Sequence, residues 1–478
     1  ALLVAWAMTA AMAGMALASP EPTAQSNNPP PAKPSRQRNI VLYVVDDLGC
    51  QIGCYGDPVA RTPNLDRLAA EGTRFTHAFC TTASCSPSRS VILTGQQNHA
   101  NGQYGLEHSY HHFASFEHVL SLPVLLARAG YRTCSIGKFH VAPERAYHFE
   151  HYENQGIQGA RNGVRMAENA KRFITQRDDR PFFLYICSSD PHRSAPGEFG
   201  NRPKGGGYPG ITPVTYRPQD VPVPPWLPDQ PEVRAELAEY YQALSRVDQG
   251  VGRMMEVLRE TGHAEDTLFV FLSDNGPPFP GAKTTLYEPG IRLPLIVRSP
   301  DQRRRGVVTN AMVTWADLLP TILQYAGVEH PQAQSLHGRS FLAVLEEESP
   351  AGWDEIYVSH TFHEVTMYYP MRALRTRKYK YLLNLAHQLP YPFASDLFES
   401  HTWQGALSRQ DRLFGRRSVQ AYVNRPRHEL YDLESDPDEL RNLASDPGHA
   451  HVLADLQQKL RAWQLRTRDP WVVKYRYE

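Results

Sequence analysis

The sequence predicts an α/β fold, a large and mostly parallel sheet flanked by helices, followed by a smaller C-terminal α+β domain with an antiparallel sheet. Three observations carry this. Continuous apolar runs at 39–45, 181–187 and 267–272 lack polar alternation and read as strands buried on both faces, as in parallel sheets. Each run stops at a polar cluster, Asp46-Asp47, Asp190-Pro191-His192 and Ser273-Asp274-Asn275-Gly276, and the strand-like 131–136 stops likewise at Gly137-Lys138-Phe139-His140. From about Met371 the pattern alternates instead, as in 372–382, which marks half-exposed antiparallel strands.

The 478 residues exceed one ordinary domain and suffice for one large core plus a smaller one. Residues 1–18 are apolar, rich in Ala and end in Ala16-Leu17-Ala18, which reads as a signal peptide; the Pro-, Ser-, Asn- and Gln-bearing stretch 19–38 reads as a disordered linker. The α/β domain is expected over 39–370 and the α+β domain over 371–478. Such a leader places the protein in a periplasm or outside the cell, with an uncleaved N-terminal membrane anchor as the other reading of the same residues. Lys plus Arg and Asp plus Glu number 50 each, which argues against a nucleic-acid binder while leaving a local basic pocket open. The six cysteines include no C-x-x-C pair, so zinc and dithiol chemistry are disfavoured and no disulfide framework is expected beyond an opportunistic Cys50–Cys54 bond.

In chain order, the strand 39–45 delivers Asp46 and Asp47 into the crevice where open α/β sheets bind ligands, a capping pair being the plainer alternative. Residues 62–72 form a helix with Pro63 near its start and Gly72 at its end, and 73–79 a strand. His99, His108, His111 and His112 lack the spacing of a helical metal pair and read mostly as surface or pocket-rim residues. A helix opens at Ser121-Leu122-Pro123. The Pro-rich stretch 208–231 suggests an ordered excursion over the site. Residues 232–261 read as a long helix with a core stripe of Leu237, Tyr241, Leu244, Val247, Val251 and Leu258. A strand at 293–298, a helix at 315–325, a strand at 429–433 and an amphipathic helix at 451–467 complete the scaffold.

Between the first strands lies Cys85-Ser86-Pro87-Ser88-Arg89, followed by Thr94-Gly95. Pro87 suits a first helical turn, Ser84 or Ser86 can cap it and Gly95 can close it, so Cys85 is placed at a helix N-terminus, which favours anions. An inert buried thiol is the plain alternative. Cys-x-Pro-x-Arg arises by chance on the order of a few hundredths of a time in such a chain. Asp46, Asp47, Asp274 and Asn275 offer oxygen donors only, the set a hard divalent cation takes, Ca²⁺ or Mg²⁺ rather than zinc. Arg89, Lys138 and Lys283 match an anionic substrate, although each alone is more often a solvated side chain.

The Cys85–Arg89 motif with Thr94-Gly95 resembles the signature of the type I sulfatases, of the alkaline phosphatase superfamily. The resemblance implies that Cys85 is oxidised to formylglycine by a maturation enzyme before folding, and that one hydroxyl of the hydrated aldehyde attacks sulfur while the other later expels sulfate. It further implies Ca²⁺, more readily than Mg²⁺, held by Asp46, Asp47, Asp274, Asn275 and the modified Cys85. Arg89 would orient the modified residue, Lys138 and Lys283 hold sulfate oxygens, His140 act as base, and His192 contact the leaving atom as general acid. Residues 363–372, 106–116, 190–193, Pro278-Phe279-Pro280 and Asp469-Pro470-Trp471 are similar to the sulfamidases, which cleave N-linked sulfate from the glucosamine of heparan-type glycans, with Asp190, His363 and Glu364 shaping the substrate pocket. Lys283 stands where animal sulfamidases carry Arg, and Ser194 where they carry a disulfide Cys. The rival readings are an O-sulfatase on glucosamine 6-sulfate or aryl sulfate, a phosphoesterase or phosphonate hydrolase of the same superfamily, and a non-catalytic binder of sulfated glycans. The partners implied are a sulfated sugar or glycosaminoglycan and the maturation enzyme; nucleic acid is not among them, and a homodimer stays open.

Overall fold

The structure, a computed structural model, describes residues 38–473. The signal peptide expected over 1–18 and the linker over 19–38 lie outside the described residues, Arg38 apart. A nine-stranded sheet is built from β1 (Asn39–Val45), β2 (Thr73–Phe79), β3 (Arg132–Gly137), β4 (His151–Tyr152), β5 (Phe182–Cys187), β6 (Thr267–Ser273), β7 (Arg292–Leu293), β8 (Leu295–Arg298) and β9 (Val307–Thr314). The order is β4-β3-β5-β1-β6-β8-β2-β7, with β9 on the other side of β2. The block β4-β3-β5-β1-β6 is parallel throughout, whereas β8 runs antiparallel to both β6 and β2.

Register matters more than strand count. Gly137 pairs with Cys187, Cys187 with Val44, and Val45 with Ser273, so four neighbouring strands end at one level. Their polar termini therefore meet on one edge, as the mostly parallel sheet required. Every residue of β1, β5 and β6 is buried, which is why these strands read as unbroken apolar runs. The helix Pro231–Glu260 buries its Leu237, Tyr241, Leu244, Val247, Val251 and Leu258 stripe.

Four local expectations are corrected. The strand at 293–298 is split into β7 and β8 at Pro294, which has no N–H to donate to a ladder. The helix anticipated from Trp315 begins as the 3₁₀ turn Trp315–Asp317, with Thr314 and Asp317 forming a capping box, before Leu318–Ala326. The excursion 208–231 does not cover the site: Thr212 bonds Gln249 and Tyr216 bonds Ser245, wrapping it along the long helix. The strand β9 and the helix Gly163–Ile174 were not anticipated; the latter buries Met166, Ala167, Ala170, Phe173 and Ile174, a helical period diluted by charge.

A second sheet is antiparallel, formed by β10 (Glu355–His360), β11 (Met371–Thr376) and β12 (Tyr379–Asn384), with β13 (Leu413–Phe414) and β14 (Arg417–Ser418) making a separate ribbon and β15 (His428–Asp432) completing the order β10-β11-β12-β15. The helix Ala450–Arg466 covers it, packing Leu456, Leu460 and Trp463 on Leu374, Tyr381, Leu383 and Leu430. Each such side chain contributes about 1.5–3 kcal/mol of burial. Among the described residues, all six cysteines are free, so Cys50 and Cys54 are unbridged, and no helix is long and apolar enough to cross a membrane.

Candidate active site

Residues Cys85–Thr94 form the anticipated helix, closed by Gly95 in the left-handed region at φ 64°. Ser84 occupies the cap position, but its hydroxyl contacts His363 Nδ1 at 2.8 Å and caps nothing. Cys85 is 1% exposed at the floor of a cavity of about 300 Å³ lined also by Leu106, His108, His111, Lys138, His140, His192, His363, Glu364, Ser395 and Asp396. Burial, then the neighbouring Asp46, push its thiol well above the ordinary range, outweighing the helix terminus. The unmodified thiol is thus held protonated and is a weak nucleophile.

Asp46, Asp47 and Asp274 converge beside Cys85, each fully buried, with ligand oxygens within 4.8 Å of one another. Asp47 takes a positive φ of 63°, and its N–H donates to Asp274 Oδ1 at 3.1 Å, which offsets the backbone cost. Asn275 Nδ2 donates to Asp47 Oδ1 at 2.6 Å, leaving Asn275 Oδ1 buried without a hydrogen-bond partner; Asp46 Oδ1 lacks one too, with Arg89 Nη2 3.6 Å away. Burial and Asp46 hold the Asp274 carboxyl well above its usual range, the result of crowding acids in a dry site. Orphaned oxygens and an all-oxygen donor set fit a hard divalent cation.

The cations brace these acids. Arg89 is fully buried and donates from Nε to Asp274 Oδ2 at 2.9 Å and from Nη1 to the Lys138 carbonyl at 3.2 Å, so it lies beneath the cavity rather than lining it. Lys138 binds Asp46 Oδ2 and reaches the cavity. Lys283 sits 2.9 Å from both Asp47 Oδ2 and Asp396 Oδ2; burial opposes its charge, but these two carboxylates keep it firmly protonated.

The two histidines differ. His192 Nδ1 donates to the Arg193 carbonyl at 2.6 Å, which leaves Nε2 towards Asp47 Oδ2 at 3.7 Å and Asp396 Oδ2 at 3.8 Å. Burial, then Lys283, hold its pKa below the ordinary histidine value. His140, at φ 57°, is pushed well below by burial and Lys138 and is neutral; Nε2 contacts His108 Nδ1, while Nδ1 is buried without a partner.

Of the three expected substrate contacts, His363 and Glu364 line the cavity, with Glu364 Oε1 accepting from Ser395 N at 2.8 Å and Oγ at 2.6 Å. Asp190 does not. Its carboxylate is engaged by Arg161 Nη1 and, at 2.8 and 2.9 Å, by Arg246 Nε and Nη2, which pins the turn leading to His192. His108 and His111 are at the rim as read, but His99 belongs to the core, bonded to Thr467 Oγ1 at 2.9 Å and edge-on to Trp463. Asp396 was missed: a lone acid in an irregular stretch carries no periodic signal.

Residues 38–328 match the sulfatase family model, and 282–392 match the model of the N-sulphoglucosamine sulphohydrolase C-terminal region. The chain is 42% identical to human N-sulphoglucosamine sulphohydrolase across 92% of each. It is 26% identical to an N-acetylglucosamine-6-O-sulfatase of Bacteroides thetaiotaomicron, covering 92% of this chain and 88% of the relative. A solved structure in complex with D-glucosamine-2-N,6-O-disulfate superposes with TM-score 0.66 at 23% identity, covering 91% of this chain and 99% of that one. The phosphonate monoester hydrolase of Agrobacterium radiobacter does so with TM-score 0.65 at 18% identity, over 90% and 96%, so the shared architecture extends beyond sulfate chemistry. Cys85 in its motif, the oxygen-lined acid cluster beside it and these matches agree: the chain belongs to the sulfatase family.

Proposed function

We propose that this chain is a sulfamate hydrolase that removes N-linked sulfate from the terminal glucosamine of heparan-type glycans. The observation that carries the reading is that His363 and Glu364, inside the region matched to the N-sulphoglucosamine sulphohydrolase C-terminal model, line the same cavity as Cys85. Cys85 as formylglycine supplies a hydrated aldehyde with one hydroxyl to take up the sulfo group and a second to release it. Asp46, Asp47, Asp274 and Asn275 would hold Ca²⁺, which supplies Lewis-acid stabilisation of charge on the transferring group. Calcium suits this set better than Mg²⁺, which keeps more of its own water.

The chain's own residues divide the remaining work. Lys138 presents fixed positive charge to the anionic sulfo group, while Lys283, fully buried behind the cavity wall, adds its charge through Asp47 and Asp396. Arg89 keeps Asp46 and Asp274 in place. His140, neutral, has Nδ1 free to accept a proton. His192 acts from its doubly protonated form, with Nδ1–H on the Arg193 carbonyl and Nε2–H beside Asp47 and Asp396, and passes the Nε2 proton to the departing nitrogen, because an amide anion is a far worse leaving group than an amine. Asp190 positions that histidine through Arg161 and Arg246. Because Cys85 is buried, its maturation by a formylglycine-generating enzyme precedes folding. The leader at 1–18 supports action outside the cytoplasm.

Protein co-expressed with a maturation enzyme should release sulfate from N-sulfoglucosamine, and Asp274→Ala should lose bound calcium and turnover together. An aldehyde-bearing Cys85 peptide by mass spectrometry without any sulfate release from that sugar would overturn the reading.

A further inference from the structure

Asp396 entered above only as a partner of Lys283 and a neighbour of His192, yet it is the acid that lines the cavity beside His192. It stands in the short helix Ser395–Phe398, contributed by the second half of the chain. Its Oδ2 accepts from Lys283 Nζ at 2.9 Å and lies 3.8 Å from His192 Nε2. Its Oδ1 is buried and has no hydrogen-bond partner. Burial alone would raise this carboxyl, but Lys283 and His192 hold it well below the usual range, so it is ionised. Glu364, the other carboxylate lining the cavity, accepts from Ser395 through Oε1.

An ionised carboxylate in the cavity wall, next to the proton donor of the leaving group, discriminates between two kinds of sulfate. The bridging nitrogen of a sulfamate carries a hydrogen; the bridging oxygen of a sulfate ester carries only lone pairs. We infer that the Asp396 carboxylate, at the cavity wall, accepts a hydrogen bond from the bridging N–H of the substrate and so selects N-linked over O-linked sulfate, an inference that rests on the sulfamate reading above. As the N–S bond breaks, its electron pair stays on nitrogen and takes the proton from His192 Nε2. The nitrogen keeps its original hydrogen, still donated to Asp396, and the amine product gains a second donor to the same carboxylate. An ester oxygen in that position sets lone pairs against a carboxylate, which costs binding without compensation.

The test compares wild type with Asp396→Asn on N-sulfoglucosamine and on an O-sulfated comparator, an aryl sulfate. The ratio of kcat/KM for the N-sulfated over the O-sulfated substrate should fall roughly 10- to 100-fold in the variant, the span of a charge-assisted hydrogen bond. Equal losses on both substrates would mean that Asp396 only steadies Lys283, and would overturn the inference while leaving the sulfamate reading intact. A second measurement needs no variant: glucosamine, whose ammonium can meet Asp396, should inhibit wild-type turnover of N-sulfoglucosamine more strongly than glucose. Equal inhibition by the two sugars overturns the inference. Wild type that releases no sulfate from N-sulfoglucosamine overturns the sulfamate reading itself.

Discussion

Single side chains at the site take their roles from their partners more than from their types. His192 and His140 are both buried histidines whose pKa values are lowered, but His192 has its Nδ1 hydrogen committed to a carbonyl and presents Nε2, whereas His140 keeps Nδ1 free. Proton donation by His192 matters only where the leaving group needs it. His192→Ala should therefore lose about 10²–10⁴-fold in kcat on N-sulfoglucosamine and much less on an activated aryl sulfate, whose phenolate leaves unaided. Equal losses in steady-state kinetics would reduce His192 to a sulfate contact. The residues at the strand ends were legible because a polar cluster after an apolar run is a local pattern. Asp396, and the turning of Asp190 towards two arginines, were not, since each depends on partners far away in sequence.

At the scale of elements, the helix Cys85–Thr94 fixes the nucleophile's position, and Gly95 ends it where an added Cβ would meet Leu336 Cδ2 at 3.1 Å. Gly95→Ala should lower stability by at least about 1 kcal/mol, read as a drop in denaturant midpoint. An unchanged midpoint would show that the left-handed cap is dispensable. Buried strands and capped helices were readable here because period and punctuation agree. The split of β7 from β8 was foreshadowed by Pro294, which should have broken the run. The helix Gly163–Ile174 was hidden because charged residues interleave its buried face, so period had to be counted rather than seen. The Pro-rich 208–231 stretch is ordered, with a 3₁₀ turn at Pro218–Asp220, but its destination, along the helix Pro231–Glu260 and not over the site, is a tertiary fact.

Across the whole molecule, the large sheet supplies acids and histidines on one edge, and the second half of the chain closes the cavity with His363, Glu364, Ser395 and Asp396. The second sheet is tied to the C-terminal segment by Arg372 and Asp469, both side chains fully buried and paired at 2.6 and 2.9 Å. Burial would raise the Asp469 carboxyl, but Arg372 holds it well below the usual value. A carboxyl depressed in the folded state stabilises above its unfolded pKa and loses that contribution as pH falls towards the folded one. Asp469→Asn should therefore cost about 3–5 kcal/mol at neutral pH, because Arg372 is left buried and unpaired. The gap to wild type should narrow in denaturation curves taken below about pH 4. A gap that is small at neutral pH, or that widens in acid, would contradict this pairing as a source of stability. The most direct check of the central claim uses glucosamine bearing both N- and 6-O-sulfate as the sole substrate, with products resolved by mass spectrometry and NMR. Glucosamine 6-sulfate with a free amine is the product this site should form first; N-sulfoglucosamine with a free 6-hydroxyl would contradict the account.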